Sequence, residues 1–124
     1  MSKVCGVVNL NQNDQIIYDK LPIKGIKDCH KIIYKENNIH VTILCHDNKI
    51  EMRRKSLEYD IEMFFEQDKV LKGNYHLLEF KNNIALETKT NFLYYDDHKI
   101  EIHYTMSLDT EETGHFYFSL ELEV

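Results

Sequence analysis

The chain has 124 residues, 43% of them apolar and 29% charged, and its formal net charge at pH 7 is −6. This length predicts one domain spanning residues 1–124, and the apolar content excludes a disordered chain. The negative net charge argues against nucleic acid and anionic membranes as partners, because both would repel the protein.

Alternation of apolar and polar side chains predicts about ten short β-strands and no helix. The predicted strands cover residues 4–10, 15–21, 29–35, 39–45, 50–57, 59–65, 70–78, 84–95, 100–108 and 116–124. Short polar connectors separate most of these strands. The exception is the segment LPIKGIKD, residues 21–28, which is predicted to form a longer loop.

The last two predicted strands form the clearest hairpin in the sequence, because one face of each is apolar. The first strand places Ile100, Ile102, Tyr104, Met106 and Leu108 on that face, and the second places Phe116, Phe118, Leu120, Leu122 and Val124 there. The strand before the hairpin is predicted to place Ile84, Leu86, Thr88, Thr90, Phe92 and Tyr94 on one side.

The connectors are too short for crossovers, so neighbouring strands are expected to run antiparallel. A meander of many strands can hide its edges by closing on itself. The sequence therefore predicts an all-β fold, an antiparallel up-and-down barrel of about 8–10 strands. A sandwich of two sheets is the alternative.

Three stretches of the second half carry a family resemblance: KIEMRRKSLEYDIEMFFEQDKVLKGNYHL, IALETKTNFLYYDDHKIEIHYTMSLD and the closing FYFSLELEV. They resemble the YwiB-like family of small bacterial proteins, through an arginine near Arg54, a Thr88-x-Thr90 strand and the alternating hairpin. The match extends back to about Ile32 and is best over residues 84–124. This resemblance implies a calycin-like, lipocalin-like barrel of unassigned function, and it implies no functional residues.

The sequence has no motif for metal, nucleotide or covalent chemistry. Its seven histidines and three cysteines lack the paired Cys-x-x-Cys or His-x-x-x-His spacing of zinc sites, so we expect no metal and no cofactor. It also lacks a Gly-x-Ser-x-Gly nucleophile motif and a glycine-rich phosphate loop. These observations favour a role other than catalysis.

The cysteines predict a reducing compartment. Cys5, Cys29 and Cys45 are odd in number, which implies no disulfide framework, and free thiols fit the cytoplasm. The opening residues MSKVCG also lack the pattern of a secretory leader. We therefore expect a cytoplasmic protein, monomeric or weakly dimeric.

Arg54 is the most informative candidate residue. If Ile50 and Met52 face the interior, Arg54 faces it too, and a buried guanidinium needs polar partners or water. One prediction is that Arg54, Thr88 and Thr90 bind the carboxylate of a small amphipathic or apolar ligand. The alternative is that Arg54 reaches solvent at the mouth of the barrel or pairs with an internal acid.

Two functional hypotheses are favoured by this sequence, and a third, an enzyme, has the least support because no constellation of acid, base and nucleophile is visible. The first is a barrel that binds a small amphipathic or apolar molecule in its interior. The second is a non-catalytic protein-interaction module that acts through an outer sheet face or through the predicted loop at residues 21–28.

Overall fold

The computed structural model describes residues 2–79 and 82–123, which form ten β-strands. Most strands are as long as the alternating patterns predict, and short polar turns join them. The strands are β1 Ser2–Gln12, β2 Gln15–Asp28, β3 Lys31–Glu36, β4 Ile39–His46, β5 Lys49–Lys55, β6 Tyr59–Glu66, β7 Val70–Leu77, β8 Asn82–Tyr95, β9 Lys99–Leu108 and β10 Glu111–Leu122. The described residues contain no helix that is long and apolar enough to cross a membrane.

Each strand pairs antiparallel with its neighbours in sequence, and the first and last strands close the barrel. At this closure Val8 of β1 lies opposite Leu120 of β10. The predicted up-and-down barrel is therefore confirmed, and the sandwich alternative is wrong. The turns use residues that tolerate a left-handed backbone. Those with positive φ include Asn13, Asp14, Asn37, Asp47, Asn48, Asp68 and Asp109.

Inward side chains from nine of the ten described strands form the buried core of the barrel, and β7 adds the partly buried Tyr75. Phe65 and Phe118 are the largest fully buried ones. The predicted apolar face of the last hairpin is confirmed for its central residues, all of which are buried. These are Ile100, Ile102 and Tyr104 on β9 and Phe116, Phe118 and Leu120 on β10. Val124, which we placed on that face, lies outside the described residues.

The predicted loop at residues 21–28 is wrong, because these residues continue strand β2. Pro22 lacks the N–H that a ladder needs. It follows an irregular stretch in which Lys20 has a φ of 51° and the pairing with β1 shifts register. Gly25 lies against β3, where a Cβ would meet the Ile33 carbonyl oxygen at 2.2 Å. The proline and the glycine therefore accommodate close strand packing here and do not mark a loop.

Strand β8 departs from the predicted alternation after Thr90. The register with β9 shifts between Thr90 and Phe92, so one extra residue is accommodated there. As a result Phe92 and Tyr94 are exposed on the outer face, contrary to the prediction, while Leu93 packs against the core.

Candidate functional site

A charged pair lies inside the barrel and joins β3 to β5. Arg54 Nη2 is 2.7 Å from Glu36 Oε1, and Arg54 Nη1 is 3.2 Å from Glu36 Oε2. Val41 of β4 separates the two strands at this level, since it lies opposite both Tyr34 and Arg54. Glu36 is completely buried, whereas 12% of the Arg54 side chain is exposed. The pair is thus sealed on the glutamate side and reaches solvent on the arginine side.

Glu36 fixes the charge of Arg54. Burial alone would lower the pKa of Arg54, but the hydrogen bonds and negative charge of Glu36 outweigh burial and raise that pKa above its ordinary value. The arginine is therefore a permanent cation, and the pair is a true ion pair with a net charge of zero.

Two buried tyrosines surround this ion pair. The Tyr34 hydroxyl donates a hydrogen bond of 3.1 Å to Glu36 Oε2. Burial, followed by the charge of Glu36, raises the pKa of Tyr34 well above its usual range. Burial also raises the pKa of Tyr104 to about 12, and the charges of Arg54 and Glu36 both act on its phenol. Both phenols remain neutral hydrogen-bonding groups at physiological pH.

The two threonines predicted for the site both face the interior, but their hydroxyls differ in partners. Thr88 donates a hydrogen bond to the carbonyl oxygen of Phe64. Thr90, which is 1% exposed, has a buried hydroxyl with no hydrogen-bond partner in the part of the chain that the structure describes. Thr90 lies directly opposite Tyr104 in the β8–β9 pairing. We call Tyr34, Glu36, Arg54, Thr90 and Tyr104 the interior polar cluster.

Three half-buried tyrosines lie at the end of the barrel nearest this cluster, and we call them the tyrosine rim. Tyr59 and Tyr75 are on β6 and β7, with ring centroids 5.9 Å apart. Tyr18 is on β2, and burial, followed by the negative charge of Glu36, raises the pKa of its phenol. Since β2 and β6 are not adjacent strands, the rim draws its residues from two separate parts of the barrel wall.

Sequence reasoning missed Glu36, Tyr34 and Tyr104 as members of the site. The segment KIIYKE alternates, so Ile32, Tyr34 and Glu36 all face inward on β3. An acidic residue at an inward position of a strand was the available signal. The partner of Arg54 could have been sought among such residues.

The basic residues near Arg54 are paired on the outer face. Arg53 donates to Asp60 Oδ1 at 2.9 Å, and Lys49 lies 3.6 Å from Glu66. Depressions of about 290 and 390 Å³ on this side are lined mainly by outward residues such as Thr42 and Glu51. Arg54, Thr88 and Thr90 do not line them. Residues 2–79 and 82–123 contain no group of three or more metal-ligating side chains.

A family model described as "Domain of unknown function (DUF1934)" matches residues 22–120 of this chain. The chain belongs to this family. The DUF1934 chain is also similar in fold to a solved protein, YwiB from Bacillus subtilis, with a TM-score of 0.60 at 9% identity. That similarity covers 98% of this chain and 91% of the YwiB chain, and it confirms the predicted YwiB-like resemblance. No curated protein matches the DUF1934 chain.

Proposed function

We propose that this DUF1934 protein binds a small amphipathic molecule through the tyrosine-rimmed end of its barrel. The ligand's polar head contacts Arg54 and Thr90, with Thr88 beside them, and its apolar part packs on the surrounding aromatic side chains. The observation that carries the proposal is the Thr90 hydroxyl, which is buried without a hydrogen-bond partner among the described residues. A buried hydroxyl that makes no hydrogen bond is costly, and a ligand or a trapped water normally satisfies it.

Arg54 supplies the second polar contact. An arginine carries five N–H donors in a planar fork. Arg54 commits two of them to Glu36, which leaves three for other acceptors. Its side chain is the partner of the ion pair that reaches solvent, so a ligand would approach the pair from the arginine side.

The charge of the cluster favours an uncharged head group. From sequence alone we predicted a ligand carboxylate on Arg54, and that remains a prediction. Glu36 already neutralises Arg54, so a ligand carboxylate placed there would share the one arginine with Glu36 and leave a buried net charge of −1. An amide or alcohol head accepts hydrogen bonds from Arg54 and Thr90 without adding buried charge.

The tyrosine rim is the proposed entry. Tyr18, Tyr59 and Tyr75 are half-buried and combine flat apolar rings with hydroxyls. Such side chains suit an opening that is wet outside and apolar inside. The proposal keeps the cytoplasm as the setting, supported by the free thiols of all three cysteines.

A protein-interaction module acting through an outer sheet face remains the alternative. Every described strand has two neighbours in the closed barrel, so a partner could not add a strand to an open edge. Such a partner would have to bind side chains on the outer face.

The test is a competition assay with the neutral dye Nile red and three ligands of equal chain length: decanamide, decanol and decanoate. We expect the dye to bind saturably and decanamide and decanol to displace it, with decanoate at least about tenfold weaker. Thr90→Val should weaken the binding of decanamide, whereas Thr42→Val, a control on the outer face, should leave that binding unchanged. A dye that never saturates would contradict the proposal, and tightest binding by decanoate would restore the carboxylate prediction.

A further inference from the structure

A row of outward side chains crosses five strands of the barrel, far from its interior. Tyr117 of β10 lies opposite Asn11 of β1 and His103 of β9. His103 in turn lies opposite Phe92 of β8, and Asn11 lies opposite Ile16 of β2. With strands about 4.8 Å apart, the row is roughly 19 Å long. We call it the aromatic row.

The rings of the aromatic row contact one another at tilted angles of 34° and 37° and are still exposed. His103 lies between its neighbours, with centroids 3.7 Å from Tyr117 and 4.9 Å from Phe92. Its Nε2 atom is held by Glu101 at 2.9 Å. Even so, Tyr117 is 56% exposed and Ile16 is 68% exposed. The row is therefore an apolar surface of tilted rings that nothing within the described chain covers.

Polar groups, uncharged apart from Glu101, border the row on one side. A depression of about 160 Å³ beside Tyr117 is lined also by Asn9, Asn11, Ser119 and Glu101. Asn9 donates a hydrogen bond of 3.2 Å to Ser119, which orients both side chains. Amides and hydroxyls both donate and accept hydrogen bonds, so this border complements a ligand whose groups do the same.

The charges around the row argue against an anionic ligand. A second depression, of about 380 Å³, adjoins Tyr117 and is lined by Asp14 and His115. No lysine or arginine is among the described residues that line either depression. Lys99, which is near the row, is 3.3 Å from Glu101 and is engaged there. Single-stranded nucleic acid needs cations beside its stacking platforms, and among the described residues that line these two depressions there is no lysine or arginine to supply them.

We propose that the aromatic row binds the pyranose rings of a neutral oligosaccharide. The C–H faces of the sugar rings pack on the negative faces of Tyr117 and Phe92, because an aromatic face attracts the positive edges of C–H bonds. The sugar hydroxyls bind Asn9, Asn11, Ser119 and Glu101 at the border. This site is separate from the proposed barrel ligand and does not depend on it, since its residues lie on the opposite side of the β-sheet.

The test uses the full chain and ¹H–¹⁵N NMR titrations with three neutral probes: maltohexaose, cellohexaose and chitohexaose. At least one is expected to cause saturable shifts confined to the row and its border, centred on Asn11, His103 and Tyr117. Tyr117→Ala should weaken that binding tenfold or more. Ile33→Ala removes an outward apolar side chain that is 42% exposed on β3, and it should leave binding unchanged.

Two further probes separate the alternatives, a short oligothymidylate and tetramethylammonium, which is a cation suited to aromatic faces. If either one shifts the row while no sugar does, the sugar assignment is wrong. Sugar shifts that persist in Tyr117→Ala, or no saturable shift with any of the three sugars up to about 10 mM, would also overturn it.

Discussion

Arg54 and Glu36 are joined by two hydrogen bonds inside the barrel, from β5 to β3 across β4. This relationship changes how Arg54 is understood, because the arginine already has its counter-ion. What the pair leaves for a ligand is a polar surface without net charge. The unpaired hydroxyl of Thr90 and the phenol of Tyr104 extend that surface along the interior.

The first prediction concerns the stability of the ion pair. Arg54→Leu leaves the fully buried carboxylate of Glu36 without its cation, so we expect a loss of about 3–5 kcal/mol in the free energy of unfolding. The control is Arg53→Leu, whose partner Asp60 lies on the outer face, with an expected loss below about 1 kcal/mol. Urea titrations at pH 7 measure both. Equal losses in the two variants would mean that Glu36 is not held as described.

The second prediction separates the two threonines by their hydrogen bonds. Thr90→Val removes a buried hydroxyl that has no partner among residues 2–79 and 82–123, so we expect the ligand-free protein to become about 1 kcal/mol more stable. Thr88→Val removes the donor to the Phe64 carbonyl and should cost about 1–2 kcal/mol. The two shape-matched substitutions should therefore move the urea midpoint in opposite directions. A loss of stability in Thr90→Val would imply a partner for its hydroxyl.

The third prediction is a pH dependence that arises from Tyr104. Its pKa is raised to about 12 in the folded protein, whereas an unfolded tyrosine titrates near about 10. Above pH 10 only the unfolded chain loses this proton, so stability is fully present below that pH and falls as the pH rises towards 12. In Tyr104→Phe the decline between pH 10 and 12 should be shallower, by up to roughly 1.4 kcal/mol per pH unit. Unfolding curves at several alkaline pH values test this, and parallel declines would contradict it.

The fourth prediction concerns the closing hairpin. Phe118 is 2% exposed and is one of the largest buried side chains. Truncation to alanine should cost about 3–5 kcal/mol in a two-state denaturant titration. Tyr117→Ala on the adjacent outward position should cost less than about 1 kcal/mol. The reverse order would invert the face assignment of β10.

Much of this fold could be predicted from alternation alone. Phe118 and Leu120 face the core as their spacing requires, and short polar connectors imply the antiparallel order. The errors came from positions where one residue disturbs the period. The extra residue between Thr90 and Phe92 turned Phe92 outward, and Pro22 hid the continuation of β2. Bulges depend on contacts between strands, so a single strand's pattern does not contain them.

The candidate site was predictable only in part. Alternation placed Arg54, Thr88 and Thr90 on the inner wall, which the described geometry agrees with. Alternation did not predict the ion pair between Arg54 and Glu36. The two residues are 18 positions apart in the sequence, and the whole of strand β4 lies between them in the barrel. An ion pair between side chains on two non-adjacent strands depends on the curvature of the barrel and on the length of the side chains. Neither is encoded in the period of a single strand.

The most direct measurement of the central proposal is an NMR titration with decanamide that follows the Arg54 Nε–H and the Thr90 methyl group together. Both report from the interior polar cluster, on β5 and β8, and neither lies on the outer face. We predict saturable shifts at both groups with a single shared Kd, and no such shifts at Arg53, which faces outward. If Arg54 and Thr90 remain unperturbed while the probe shifts only outer-face residues, the barrel interior is not the ligand site.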